Sequence, residues 1–240
     1  MKAKILLILL TGSLTMQAQT NHSWGLFPTI DHSGQLSEKW SYYTYLFASF
    51  KPYTNEIFGV ESKSRITSFY SEVGANYKLS NKLTATASYV YERQNPFEDY
   101  YRNENRLFQQ LALINPVREW FNLKLRIRFD ERFIQDPVTK QANFTHRIRL
   151  LTGFSKDLTE NLYVFGYSEL FLNTSSNFAY NENWSALQIG RELNASNKIE
   201  TGLLYIGWIN DNKGNWLHQY YLQLTWVSKL NFVKHKNDIK

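Results

Sequence analysis

The chain has 240 residues, 43% of them hydrophobic and 20% charged, with a formal net charge of +6 and no cysteine. That length suits one large domain, and the missing cysteines argue against a disulfide framework, a lipid-modified cysteine anchor and any thiolate metal site. The 27 basic residues are scattered among Tyr, Asn and Glu rather than gathered into a stripe, so no nucleic-acid partner is expected.

In chain order, the first segment reads as a secretory signal. Lys2 and Lys4 precede the apolar run Ile5 to Leu10, and Met16 and Ala18 stand where a cleavage site is expected. Residues 1–18 are therefore expected to be removed. Losing the two lysines takes the charge from +6 to +4. The apolar run is too short to cross a bilayer as a helix, which needs roughly 20 residues, and no later run reaches that length. A mean hydropathy of −0.45 suits a soluble protein, but a strand that alternates apolar and polar residues hides its apolar face from such an average. The aromatic content of 16%, with 16 Tyr and 7 Trp, fits the interfacial girdles of a membrane barrel.

Alternation with period two runs through the rest of the chain and marks strands rather than helices. It is clearest after Trp120. Phe121, Leu123, Leu125, Ile127 and Phe129 fall on one parity; Asn122, Lys124, Arg126, Arg128, Asp130 and Arg132 fall on the other. Residues 143–154 repeat the pattern, with Phe144, Ile148, Leu150 and Phe154 against Arg147 and Arg149. Leu83, Ala85, Ala87, Tyr89 and Tyr91 alternate with Thr84, Thr86, Ser88, Val90 and Glu92, and Tyr220, Leu222, Leu224 and Trp226 with Gln219, Tyr221, Gln223 and Thr225. The same reading gives strands near residues 22–32, 38–51, 65–78, 82–93, 104–115, 119–133, 141–154, 161–173, 182–193, 197–209 and 216–228. Most are long enough for a tilted membrane strand of roughly 9–11 residues.

The connections alternate between tight ones, at 33–37, 79–82, 115–118, 155–160 and 194–197, and longer ones, at 51–64, 94–103, 134–140, 174–181 and 210–215. Short turns on one side and long loops on the other form the pattern of bacterial outer-membrane barrels. The expected fold is all-β, an antiparallel up-and-down transmembrane β-barrel of 10–12 strands over residues 19–233, followed by a polar tail at 234–240. Eleven segments is an awkward count, because single-chain bacterial barrels have even numbers. The segment 22–32 is the weakest, since Pro28 interrupts it. Ten strands without it, or twelve with one overlooked, are the alternatives.

The ionic parity is expected to line the lumen and the apolar parity to meet lipid. A barrel of this strand number is wider than the eight-stranded kind, so its interior needs water or long polar side chains. Trp40, Trp120, Trp184, Trp208 and Trp216 fall near strand ends, where an interfacial belt would hold them. By the same parity, an arginine at Ser88 should be tolerated much better than one at Leu125. The segments Arg128 to Phe133, Thr145 to Arg149 and Ser168 to Asn173, with aromatic-rich hairpins throughout, carry a family likeness. Over its mature length the chain resembles the outer-membrane-barrel proteins grouped as domain of unknown function 2490. That resemblance implies a barrel and brings no catalytic residues with it.

The histidines His22, His32, His146, His218 and His235 form no metal-ligand motif. The local His–Ser candidate is His32 beside Ser33, yet neighbours on a strand point to opposite faces, so His32 cannot readily serve Ser33 as a base. No catalytic residue, metal or cofactor is expected. The strongest polar feature is a lumenal ionic network of Lys124, Arg126, Arg128, Asp130, Arg132, Arg147 and Arg149, faced by Glu72, Glu92, Glu169 and Glu200 from other strands. It reads either as salt bridges that fill the lumen or as an anion-attracting lining. The expected function is an outer-membrane barrel serving structure, small-solute transport or ligand binding. The alternatives are an enzyme acting on lipid or lipopolysaccharide acyl chains, and adhesion through the loops at 51–64 and 94–103. Expected partners are outer-membrane lipid, the barrel assembly machinery and an anionic small solute, and the expected location is the outer membrane of a Gram-negative bacterium.

Overall fold

The structure, a computed structural model, describes residues 21–52, 55–57, 60–62, 65–117, 121–175, 179–209 and 216–232. The expected signal segment, the polar tail and Trp120 lie outside these residues. Thirteen strands are present among them: β1 (Asn21–Gln35), β2 (Trp40–Phe50), β3 (Asn55–Ile57), β4 (Val60–Ser62), β5 (Ile66–Lys78), β6 (Leu83–Gln94), β7 (Arg102–Val117), β8 (Phe121–Gln135), β9 (Ala142–Asp157), β10 (Leu162–Asn173), β11 (Ala179–Asn194), β12 (Asn197–Ile209) and β13 (Trp216–Asn231). Strands β3 and β4 pair only with each other, within the connection from β2 to β5. The other eleven close into one barrel in the order β1-β13-β12-β11-β10-β9-β8-β7-β6-β5-β2.

Eleven wall strands fall within the expected 10–12 and match the eleven segments read from the sequence, and the pairing is antiparallel except at the closing seam, where the preference for an even count gives way. The chain reverses at every turn, so the first and eleventh wall strands point the same way, and closure has to be parallel. β1 and β13 accordingly pair in parallel from Asn21↔Leu217 to Gln35↔Asn231. The weakest predicted segment is a full strand. Pro28, which has no N–H to donate, sits opposite Leu224 of β13, while the ladder with β2 jumps from Leu26↔Phe50 to Thr29↔Phe47. The proline is absorbed as a gap in one ladder and does not end the strand.

Tight turns gather at one rim. Ser37 Oγ accepts the Trp40 N–H at 3.1 Å and Ser80 Oγ accepts the Leu83 N–H at 3.1 Å. The opposite rim carries the long connections, with left-handed backbone at Asn95 (φ 51°) and Lys140 (φ 59°). In the connection from β8 to β9, Asp136 Oδ1 accepts the backbone N–H groups of Thr139 at 2.7 Å and Val138 at 2.9 Å. Those two hydrogen bonds hold the Asp136 carboxyl below its usual value of 3.8.

Side chains sort by parity as expected. Outward rows such as Leu125, Ile127 and Phe129, or Tyr220, Leu222, Leu224 and Trp226, are exposed. Inward rows are buried, and they divide the interior into two halves. One is aromatic and aliphatic, built on Phe27, Phe47, Tyr70, Leu204 and Tyr221 with Trp184 packed among them. Phe27 stacks on Phe47 at 4.3 Å between ring centres, and Phe47 on Tyr70 at 4.5 Å. The other half is ionic.

Candidate functional site in the lumen

Along β8 the inward side chains change environment with depth. From the short-turn rim, Lys124 is exposed, Arg126 half-buried and Arg128 buried, and Asp130 is 0% exposed. Lys124 shares the parity of the buried residues yet touches solvent. The lumen therefore keeps open space at its level and is packed into a dry layer four to six residues deeper.

The dry layer is closed by ion pairs. Arg147 donates from Nε and Nη2 to Asp130 Oδ2 at 2.9 and 2.8 Å and reaches Glu182 at 3.3 Å. Arg149 grips Glu169 with two parallel bonds of 2.8 Å, and Arg126 adds a third at 2.5 Å. Arg128 donates to Gln110 at 2.9 Å and lies 3.5 Å from Glu72, which also accepts the hydroxyls of Tyr43 and Tyr70. Arg106 pairs with Glu104 at 2.6 Å and Glu92 at 3.3 Å, and Arg132 holds Glu104 with two bonds of 2.7 Å. Six arginines thus meet six carboxylates, and the layer carries no net charge.

This arrangement follows from register. Arg128 sits directly opposite Arg149, and Arg106 opposite Arg132. Like charges across a seam repel, and stranding them away from water costs several kcal/mol per ion, so each pair needs carboxylates from elsewhere. The guanidinium planes also join the two halves of the lumen. Arg128 lies 3.7 Å from the Phe108 ring centre, and Arg149 and Arg147 lie 4.3 and 4.7 Å from that of Phe171. Each such contact contributes on the order of 1 kcal/mol.

Of the residues singled out in the sequence, Arg126, Arg128, Asp130, Arg132, Arg147, Arg149 and Glu169 come together in this layer. Glu92 pairs with Arg106 and not with the arginines of β8 and β9. Lys124 forms none of these pairs, and Glu200 accepts the Tyr163 hydroxyl at 2.5 Å. Sequence reasoning missed Glu104, Arg106 and Glu182. On β7 the inward parity mixes Glu104 and Arg106 with Phe108 and Ala112, which blurs the alternation. Two positions expected in the interfacial belt are corrected: Trp184 and Trp208 pack against the lumenal core. Ser88 is corrected too. It is buried, donates to the Val73 carbonyl at 2.7 Å and lies against Gly74, where even a Cβ would fall 2.8 Å from its hydroxyl. No arginine fits there.

A family model described as Protein of unknown function (DUF2490) matches residues 24–218, from β1 into the start of β13. The chain belongs to the DUF2490 family. No curated protein matches it. This DUF2490 barrel carries a second polar group, on its outer wall at the short-turn rim. The parallel seam sets His32 directly opposite Ser228, and β2 brings Tyr42 opposite Gly34. His32 Nδ1 lies 2.6 Å from Ser228 Oγ and Nε2 lies 2.9 Å from Tyr42 Oη. Gly34 is required for this approach, because a Cβ there would fall 2.2 Å from the Tyr42 ring.

Proposed function

We propose that this DUF2490 chain is an outer-membrane barrel with a sealed lumen, a wall that works through its outer surface and loops and does not conduct solutes. The observation that carries the reading is the inversion of its faces. Leu203, Leu224 and Ile127 are 68%, 55% and 50% exposed, while Asp130 and Glu169 are 0% and 2% exposed. In water such a wall would leave apolar rows uncovered on every strand, whereas hydrocarbon covers them at no cost. The aromatic rows fit the same placement. Trp40 and Tyr77 lie 4.9 Å apart at the short-turn rim; Trp216, His218, Tyr205 and Tyr220 cluster at the long-loop rim. Export through the signal expected at residues 1–18 belongs to the same proposal, with membrane lipid and the barrel assembly machinery as the partners it entails.

Neutral pairing across the dry layer argues for a plug over an anion-selective pore. A conducting pore needs a solvated path and an unpaired lining charge. The test is to reconstitute the full-length protein into planar bilayers after showing that it fractionates with the outer membrane and changes gel mobility on heating. Silent bilayers are the expected result. Discrete, anion-selective conductance steps would overturn the sealed-lumen reading.

A further inference from the structure

We propose that Ser228, His32 and Tyr42 form a hydrolytic centre on the outer wall, acting on carboxylic esters of membrane lipids. The three side chains come from three adjacent strands and share one face, so backbone pairing on both sides of β1 fixes their spacing. Nucleophilic catalysis by serine requires a base within about 2.6–3.2 Å and a third group to orient that base. Ser228 Oγ to His32 Nδ1 at 2.6 Å and His32 Nε2 to Tyr42 Oη at 2.9 Å meet both requirements.

With the Nε2 proton donated to the Tyr42 oxygen, Nδ1 keeps its lone pair for the Ser228 proton. Ser228 Oγ bonds to the ester carbonyl carbon as its proton passes to His32. The C–O bond to the alcohol then breaks, and that alcohol leaves with the proton from His32. Water attacks the acyl-serine by the same route, His32 taking its proton and returning it to Oγ. One ester and one water become one alcohol and one fatty acid.

The surroundings name the substrate class. Ile30 and Trp226 precede His32 and Ser228 by two residues on the same outward face, 40% and 51% exposed, and Leu230 follows Ser228 two residues on. Acyl chains lying along that apolar row would bring their ester carbonyls to the aromatic rim, the depth of the headgroup–acyl boundary. The lipid source of the ester rests on the membrane placement proposed above; the Ser–His–Tyr geometry does not.

The experiment is run in two arms on the purified full-length barrel. In detergent micelles, a fluorophosphonate probe and p-nitrophenyl butyrate report the nucleophile whether or not the protein inserts into lipid. In vesicles, release of fatty acid is followed with phosphatidylethanolamine or with lipopolysaccharide, which separates the two ester sources. Wild type and Ser33→Ala should be labelled, Ser228→Ala should not, and His32→Gln should lose on the order of 10²-fold in rate. Tyr42 acts as a positioning residue. Tyr42→Phe should lower kcat with KM nearly unchanged and should alter the pH–rate profile, a change that a purely structural contact would not produce. A folded, heat-modifiable barrel that is neither labelled nor active on any of these esters overturns the proposal and leaves the membrane reading standing. Labelling that persists in Ser228→Ala overturns it equally. Activity in micelles with failure to insert would instead refute the membrane reading.

Discussion

Glu169 is the most heavily used anion of the dry layer, and its neutralisation tests the plug most directly. Glu169→Gln keeps the volume and one acceptor but removes the charge shared by Arg149 and Arg126. Both guanidiniums lie in contact with Glu169 now, at 2.8 and 2.5 Å, and Arg128 adds further positive charge nearby. Breaking a buried ion pair by removing one partner costs about 3–5 kcal/mol. Gln can still accept from Arg149, so the lower part of that range, about 3 kcal/mol, is expected. That corresponds to roughly a hundredfold shift in the unfolding equilibrium. Arg126→Met in the same chain removes one stranded cation and should recover part of the loss. The assay is urea unfolding of the barrel in lipid vesicles, followed by tryptophan fluorescence and gel mobility. A single variant within about 0.5 kcal/mol of wild type would refute the reasoning, because that is the scale of a solvent-exposed substitution. The arginines would then be hydrated and the lumen open.

Four further expectations concern the lumen, the outer face, closure and one loop, the first two read by the same unfolding assay, the third by membrane insertion and the last by amide exchange. Arg128→Ala should cost about 2–3 kcal/mol, less than the full range for a buried pair, because Glu72 keeps the Tyr43 and Tyr70 hydroxyls. Ile127→Arg, at the centre of the outward row of β8, should cost roughly 2–4 kcal/mol in lipid, whereas Ser88→Arg should impair folding in lipid and detergent alike by overpacking. Deleting residues 216–240 should abolish insertion, since it removes the partner of both β12 and β1 and leaves two open edges; deleting 234–240 should not. Asp136 is held below its usual value by hydrogen bonds made in the folded turn, so its contribution is complete above pH 3.8 and fades as the pH falls through the lowered value. Amide exchange in residues 136–141 should accelerate only below that point, and Asp136→Ala should remove the pH dependence.

Much of this fold was legible because strand periodicity is read one segment at a time. The alternation of Phe121 to Arg132 decides both the strand and its two faces without any partner. Depth is a different matter. Lys124 and Asp130 share one parity, and only closure of the barrel shows that the first meets water and the second does not. Trp184 is a miss of another kind, since an aromatic near a strand end fits a belt or a lumenal core equally well until its parity is checked against that of its buried neighbours Ala186 and Gln188. Register between distant strands was beyond reach altogether. His32 was rejected as a base because Ser33 points away from it, and that argument holds. Its serine is Ser228, 196 residues further on, across a parallel seam that an even-stranded barrel would not possess.

That seam also limits how the chain can be rewired. In a barrel closed by antiparallel pairing, the first and last strands end at one rim, and a short linker can join them into a circular permutant. Here Asn21 lies at the long-loop rim and Asn231 at the short-turn rim. A linker between them would have to travel the length of a 15-residue strand, about 50 Å at about 3.3 Å per residue. Its route would pass either through the packed ion-pair layer or along the apolar outer face. Neither path suits a flexible polar tether, so the break between β1 and β13 is the one place where this wall cannot be sewn shut and reopened elsewhere.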